Sequence, residues 1–137
     1  MVMVVDDEPM IRVLVRSALT RTGYSVVDAE SPAQAMGILD SLPALELLVT
    51  DVVMPEIDGC ELAARMRQAR PDLKILFMSG FPAPAKLPRL DNSTGFIAKP
   101  FTVNDLVEGV RRILPSCRQE PSTPAQRQTR PPISPLQ

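Results

Sequence analysis

Apolar positions along the chain fall into short continuous blocks separated by longer periodic stretches. Val2–Val5 is an unbroken apolar run, the pattern of a strand buried on both faces, and it stops at Asp6-Asp7-Glu8. Pro9 can open a helix at its first position, and Ile11, Leu14, Val15, Ala18 and Leu19 then recur as one stripe. Arg12, Arg16, Ser17 and Arg21 take the opposite face, which reads as solvated, and Gly23 offers a C-terminal stop. Tyr24–Val27 predicts a second strand. Ser31-Pro32 predicts the start of a second helix, with Ala35, Ile38, Leu39 and Leu42 on its buried side. Leu45–Thr50 reads as a third strand ending at Asp51, and Gly59, Leu62, Ala63 and Met66 mark a third helix. Leu73–Met78 and Gly95–Ala98 are two further strands. Asp105–Leu114 closes the series as a helix with Leu106, Val110, Ile113 and Leu114 inward.

Strands alternating with helices at this spacing predict an α/β fold with a parallel sheet covered on both faces. Five such units predict a doubly wound, flavodoxin-like five-stranded parallel sheet, order 2-1-3-4-5. The fourth unit is irregular. Pro82, Pro84 and Pro88 occupy the place of its helix, and proline inside a helix costs about 3 kcal/mol, so that helix is expected to be short or distorted.

Composition adds a boundary. Six of the 15 prolines in this 137-residue chain lie in the last 23 residues, among Ser, Thr, Gln and Arg. Such a stretch buries too little apolar surface to offset its ordering entropy. Residues 1–114 are therefore expected to form one domain and 115–137 a disordered, slightly basic tail. The net charge of −1 gives no reason to expect nucleic acid or an anionic membrane as partner. No apolar run approaches the roughly 18 residues of a membrane span. Cys60 and Cys117 make no disulfide framework, which points to the cytoplasm, and Cys60 reads as a small buried hydrophobe. The absence of histidine excludes Ser-His-Asp and Cys-His catalysis and histidine metal ligation.

In open parallel sheets, ligands bind beyond the carboxyl ends of the strands. The residues expected there are Asp6 and Asp7 after the first strand, Asp51 after the third, Ser79 after the fourth and Lys99 after the fifth. Carboxylates converging on one rim repel each other and are raised in pKa unless a cation neutralises them. With no Cys or His beside them, the fitting ion is a hard, oxygen-liking one, and Mg²⁺ suits best. A lysine and a hydroxyl opposite the acids are what an incoming phosphoryl group needs.

Four ordered motifs carry a resemblance. Val4-Val5-Asp6-Asp7-Glu8-Pro9, Asp51-Val52-Val53-Met54-Pro55-Glu56-Ile57-Asp58-Gly59, Met78-Ser79-Gly80 and Gly95-Phe96-Ile97-Ala98-Lys99-Pro100-Phe101 together resemble the receiver domain of bacterial two-component response regulators. The resemblance implies that Asp51 accepts a phosphoryl group from a sensor histidine kinase or phosphotransfer protein. It implies Mg²⁺ bound by Asp7 directly, by Asp6 chiefly through water, by Asp51 and by the Val53 carbonyl. Lys99 would pair with phosphoryl oxygens, Ser79 would be the switch hydroxyl, and Phe96 holds the aromatic switch position. A cis Lys99–Pro100 bond and a flexible Gly59 backbone also follow from it.

Three features depart from the family pattern. Ser79 stands where Thr is commoner, Phe96 lacks a phenol oxygen, and Val53 sets an apolar side chain beside the phosphoryl site. Met78-Ser79-Gly80-Phe81 is more similar to receivers fused to hybrid sensor kinases than to those of DNA-binding regulators. The expected function is a phospho-accepting switch that alters contacts with a downstream protein, either as a stand-alone receiver or as the receiver of a hybrid kinase. The competing readings are a phosphorylation-independent interaction scaffold and an aspartate-nucleophile phosphatase. The phosphatase is disfavoured because such enzymes carry a second Asp where Val53 stands, and a dinucleotide enzyme because no Gly-x-Gly-x-x-Gly follows the first strand.

Overall fold

The structure, a computed structural model, describes residues 1–80 and 90–114. The expected fourth helix around Pro82, Pro84 and Pro88, and the tail from residue 115, lie outside the described residues. The described elements are β1 (Val2–Val5), α1 (Pro9–Arg21), β2 (Val26–Ala29), α2 (Pro32–Leu39), β3 (Leu47–Asp51), α3 (Gly59–Ala69), β4 (Lys74–Ser79), β5 (Thr94–Ala98) and α4 (Val103–Ile113). All five strands pair in parallel, in the order β2-β1-β3-β4-β5.

Strand alternation sorts the core into two layers. Val2, Val4, Leu47, Val49, Leu76 and Met78 face α1 and α4, where Val15, Leu19, Leu106 and Val110 meet them. Met3, Val5, Leu48, Ile75 and Phe77 point the other way, onto Leu39, Leu62 and Met66 of α2 and α3. Each large apolar side chain fully buried in this way contributes roughly 1.5–3 kcal/mol. The continuous apolar runs of β1 and β3 are thus those of central strands buried on both faces.

Helix starts follow the sequence chemistry. The Ser31 hydroxyl accepts from Gln34 N at 3.1 Å, and the Asp58 carboxylate accepts from Glu61 N at 2.8 Å. Thr102 and Asp105 form a reciprocal capping box at α4. Most element ends shift by a few residues, and two of the shifts bear on the site or the core. The second strand begins at Val26, because Tyr24 N bonds Leu19 O as α1 exits through Gly23 (φ 108°), and the Tyr24 side chain is buried in the core. The third strand includes Asp51 itself, held in register against Met78 of β4.

Candidate functional site

At the carboxyl ends of β1 and β3, the Asp6, Asp7 and Asp51 side chains each present an oxygen, and these oxygens all lie within 4.8 Å of one another. Asp6 is fully buried, Asp7 exposed and Asp51 nearly buried, so the cluster opens to solvent along one side. The turn after β1 is shaped by Asp6 itself, whose Oδ1 accepts from Glu8 N at 2.8 Å. Lys99, one residue past β5, extends its ammonium across the sheet ends. Its Nζ donates to Asp6 Oδ2 at 3.1 Å and lies 3.4 Å from Asp51 Oδ2.

Burial pushes the Asp6 carboxyl above the usual carboxylate range, and the nearby Asp51 charge adds to this. The Glu8 N–H and the Lys99 ammonium pull the other way without overcoming it. For Lys99, burial acts to lower the pKa, but pairing with Asp6 and Asp51 outweighs it, and the ammonium is held above its ordinary value. The donor set is all oxygen and anionic, with an open side for water and an incoming ligand. This fits a hard divalent cation such as Mg²⁺ and no softer one.

The other sequence-derived positions lie on or just beyond β3, β4 and β5. Ser79 ends β4 and is buried, its carbonyl accepting from Lys99 N at 2.7 Å. The Lys99–Pro100 peptide bond is cis. Phe96 pairs with Phe77 across β4 and β5 and packs, half-buried, on the layer beneath α2 and α3. Val53, two residues past β3 in the segment leading to α3, is 67% exposed.

Three readings of the sequence are corrected. Gly59 is needed for close approach rather than flexibility: a Cβ there would sit 2.1 Å from the Asp51 carbonyl oxygen, while Gly59 N donates to Val52 O at 2.8 Å. Cys60 is half-buried rather than buried, packing at the margin of the α2/α3 layer. The α1 arginines are not simply a solvated face. The Arg12 side chain is only 15% exposed, its Nη1 donates to the Asp6 carbonyl at 2.7 Å, and its Nε lies 3.5 Å from Asp28 Oδ2. Arg16 reaches the same Asp28 at 2.9 Å. The one sequence signal for Arg12 was its place one turn into the helix that follows the acidic pair.

Residues 2–111 match the family described as response regulator receiver domain. The chain belongs to that family. This receiver is 43% identical over 111 residues to the response regulator receiver protein CpdR of Brucella abortus, spanning 80% of this chain and 91% of CpdR. It is 37% identical over 116 residues to the sensor kinase CckA of the same species, where the match spans 82% of this chain and 12% of CckA. Among solved structures, the response regulator TrrA of Thermotoga maritima in complex with Mg²⁺-BeF superposes with a TM-score of 0.69 at 30% identity, over 82% of this chain and 97% of that one. The receiver is thus a phospho-accepting domain of two-component signalling. Its relatives include both a protein of nearly its own length and a small segment of a large kinase. Among the described residues no helix is long and apolar enough to cross a membrane.

Proposed function

We propose that Asp51 is the phosphoryl acceptor, and that Asp6, Asp7, Asp51 and the Val53 carbonyl hold Mg²⁺ beside it. The observation that carries this is the bridging of Asp6 and Asp51 by one ammonium, 3.1 and 3.4 Å away, over a cluster of three acids. When bound, the cation supplies positive charge to the acids and to the oxygens of an approaching phosphoryl group. An Asp51 carboxylate oxygen forms the bond to phosphorus as the bond to the donor's imidazole nitrogen breaks, and that electron pair returns to the ring. The Lys99 ammonium then pairs with a phosphoryl oxygen. Phosphorylation brings about −1.5 to −2 charge and new acceptors. The Ser79 hydroxyl donates to one of these, and Phe96 moves into the space released.

The donor is a histidine kinase or a phosphotransfer protein, the exchange takes place in the cytoplasm, and the output is a changed contact with a downstream protein. The domain switches by gaining and losing its own phosphoryl group and is not a phosphatase of other molecules. Incubation with Mg²⁺ and acetyl phosphate is expected to give a single Mg²⁺-dependent modification, seen by intact mass, that Asp51→Asn abolishes. No modification of the wild type would favour the scaffold reading, and repeated turnover of phosphomonoesters the phosphatase. Lys99→Ala is expected to accept phosphate yet fail to change its partner contacts.

A further inference from the structure

We infer that Arg12, backed by Asp28, is a positioning residue that fixes the turn carrying Asp6 and Asp7 and thereby sets how tightly the turn holds a divalent cation. The inference rests on the acidic cluster being a Mg²⁺ site. The ladder thins where β1 ends: Asp6 N reaches Ala29 O at a long 3.4 Å. The next residues must turn sharply into α1, whose N-cap, Glu8, makes no side-chain cap bond. The Asp6 carbonyl is held instead by the Arg12 guanidinium at 2.7 Å. That guanidinium is in turn anchored to the edge strand, since Asp28 lies on β2 opposite Val4, two residues before Asp6. Arg16, 2.9 Å from the other Asp28 oxygen, keeps the carboxylate in place. One partly buried guanidinium therefore ties together strand edge, turn and helix just behind the acids. Groups that orient metal ligands from behind commonly change affinity by about 10–100-fold when removed.

Charge and position make opposite demands at Arg12, and this makes the inference testable. Acting through space, its positive charge repels a second cation, so neutralising it would tighten Mg²⁺ binding. If its bond to the Asp6 carbonyl is what matters, losing that bond frees the turn and weakens binding. Calorimetric titration of the full chain with MgCl₂ separates the two. Arg12→Gln is expected to weaken Mg²⁺ binding about tenfold, and Arg12→Lys, which keeps the charge but not the fork, about threefold. Arg67→Gln serves as the stability control. It removes bonds to Leu73 O, Ser93 O and Thr94 Oγ1 elsewhere in the fold, and it is expected to leave Mg²⁺ affinity unchanged. Unchanged or tighter binding by Arg12→Gln would overturn the inference, as would an equal loss in Arg67→Gln. Should Arg12→Gln not fold, the charge-conserving Lys variant decides, and wild-type affinity in it overturns the proposal. A wild type that binds no Mg²⁺ overturns the metal site itself and this inference with it.

Discussion

At Asp6 the fold encloses a carboxylate completely and offers its side chain a backbone N–H, an ammonium and a neighbouring acid. Burial dominates, so the folded-state pKa lies above the ordinary 3.8. The sign follows from proton linkage: the folded chain holds this proton to higher pH than the unfolded one. Stability from this group is therefore present at low pH and declines as pH rises through the raised pKa. Asp6→Asn keeps an oxygen to accept from Glu8 N while removing the buried charge. In EDTA, the variant is expected to match wild type near pH 3 and to exceed it at pH 7 by on the order of 1 kcal/mol, a gain typical of relieving a functional site. Thermal melts across that range check this; a gap that is constant with pH would show that charge burial is not its cause. The same variant is expected to lose the Mg²⁺-dependent rise in Tm.

Glycine substitutions separate the elements that only need to be helical from those that position the site. Gly37 lies exposed in the last turn of α2, where an added Cβ meets nothing within 4 Å, so Gly37→Ala is expected to stabilise by up to about 0.5–1 kcal/mol. At Gly59 the same change drives a Cβ into the Asp51 carbonyl, and α3 must move away from the end of β3. Gly59→Ala is expected to cost at least about 2 kcal/mol, as overpacking does, and to slow modification by acetyl phosphate. Denaturant unfolding and a phosphorylation time course read both effects. The sequence displays Gly59 beside a helix cap but not which carbonyl the helix approaches, and that is why its role reads as flexibility. The strands are more legible, because runs such as Val2–Val5 and Leu47–Val49 have no polar position that could face water. Tyr24 misleads for a specific reason: a β-prone side chain is spent on the core under α1 before the strand begins. Arg12 misleads for another. A guanidinium on the polar side of an amphipathic helix looks the same whether it meets water or a backbone carbonyl, and its partner Asp28 comes from a different strand.

Across the whole molecule, Lys99 joins distant parts of the chain: its ion pair with Asp6 spans 93 positions and carries the end of edge strand β5 over β4 and β3 to the end of β1. The acids, ammonium and strand ends were legible together because a parallel sheet delivers every strand's carboxyl end to the same rim. The contest between the ammonium and a metal was not, since it depends on distances. Lys99 lies against two of the carboxylates that Mg²⁺ would use, so the two cations compete for the same charge. Its pKa is raised by those partners, so its contribution is fully present below the ordinary 10.5 and is lost only as pH rises through the higher folded value; at neutral pH it acts at full strength. Lys99→Met keeps most of the buried stem and removes the charge. In EDTA it is expected to be less stable by about 2 kcal/mol, because two acids lose their counter-ion in a partly buried setting. With Mg²⁺ the deficit is expected to shrink, because the metal replaces the missing charge and binds the variant several-fold tighter than wild type. At a free concentration 100 times the Kd, binding adds about 2.7 kcal/mol to either protein, so Tm measured against free Mg²⁺ gives both affinities. Weaker Mg²⁺ binding by Lys99→Met would mean that the ammonium organises the carboxylates for the metal instead of competing with it.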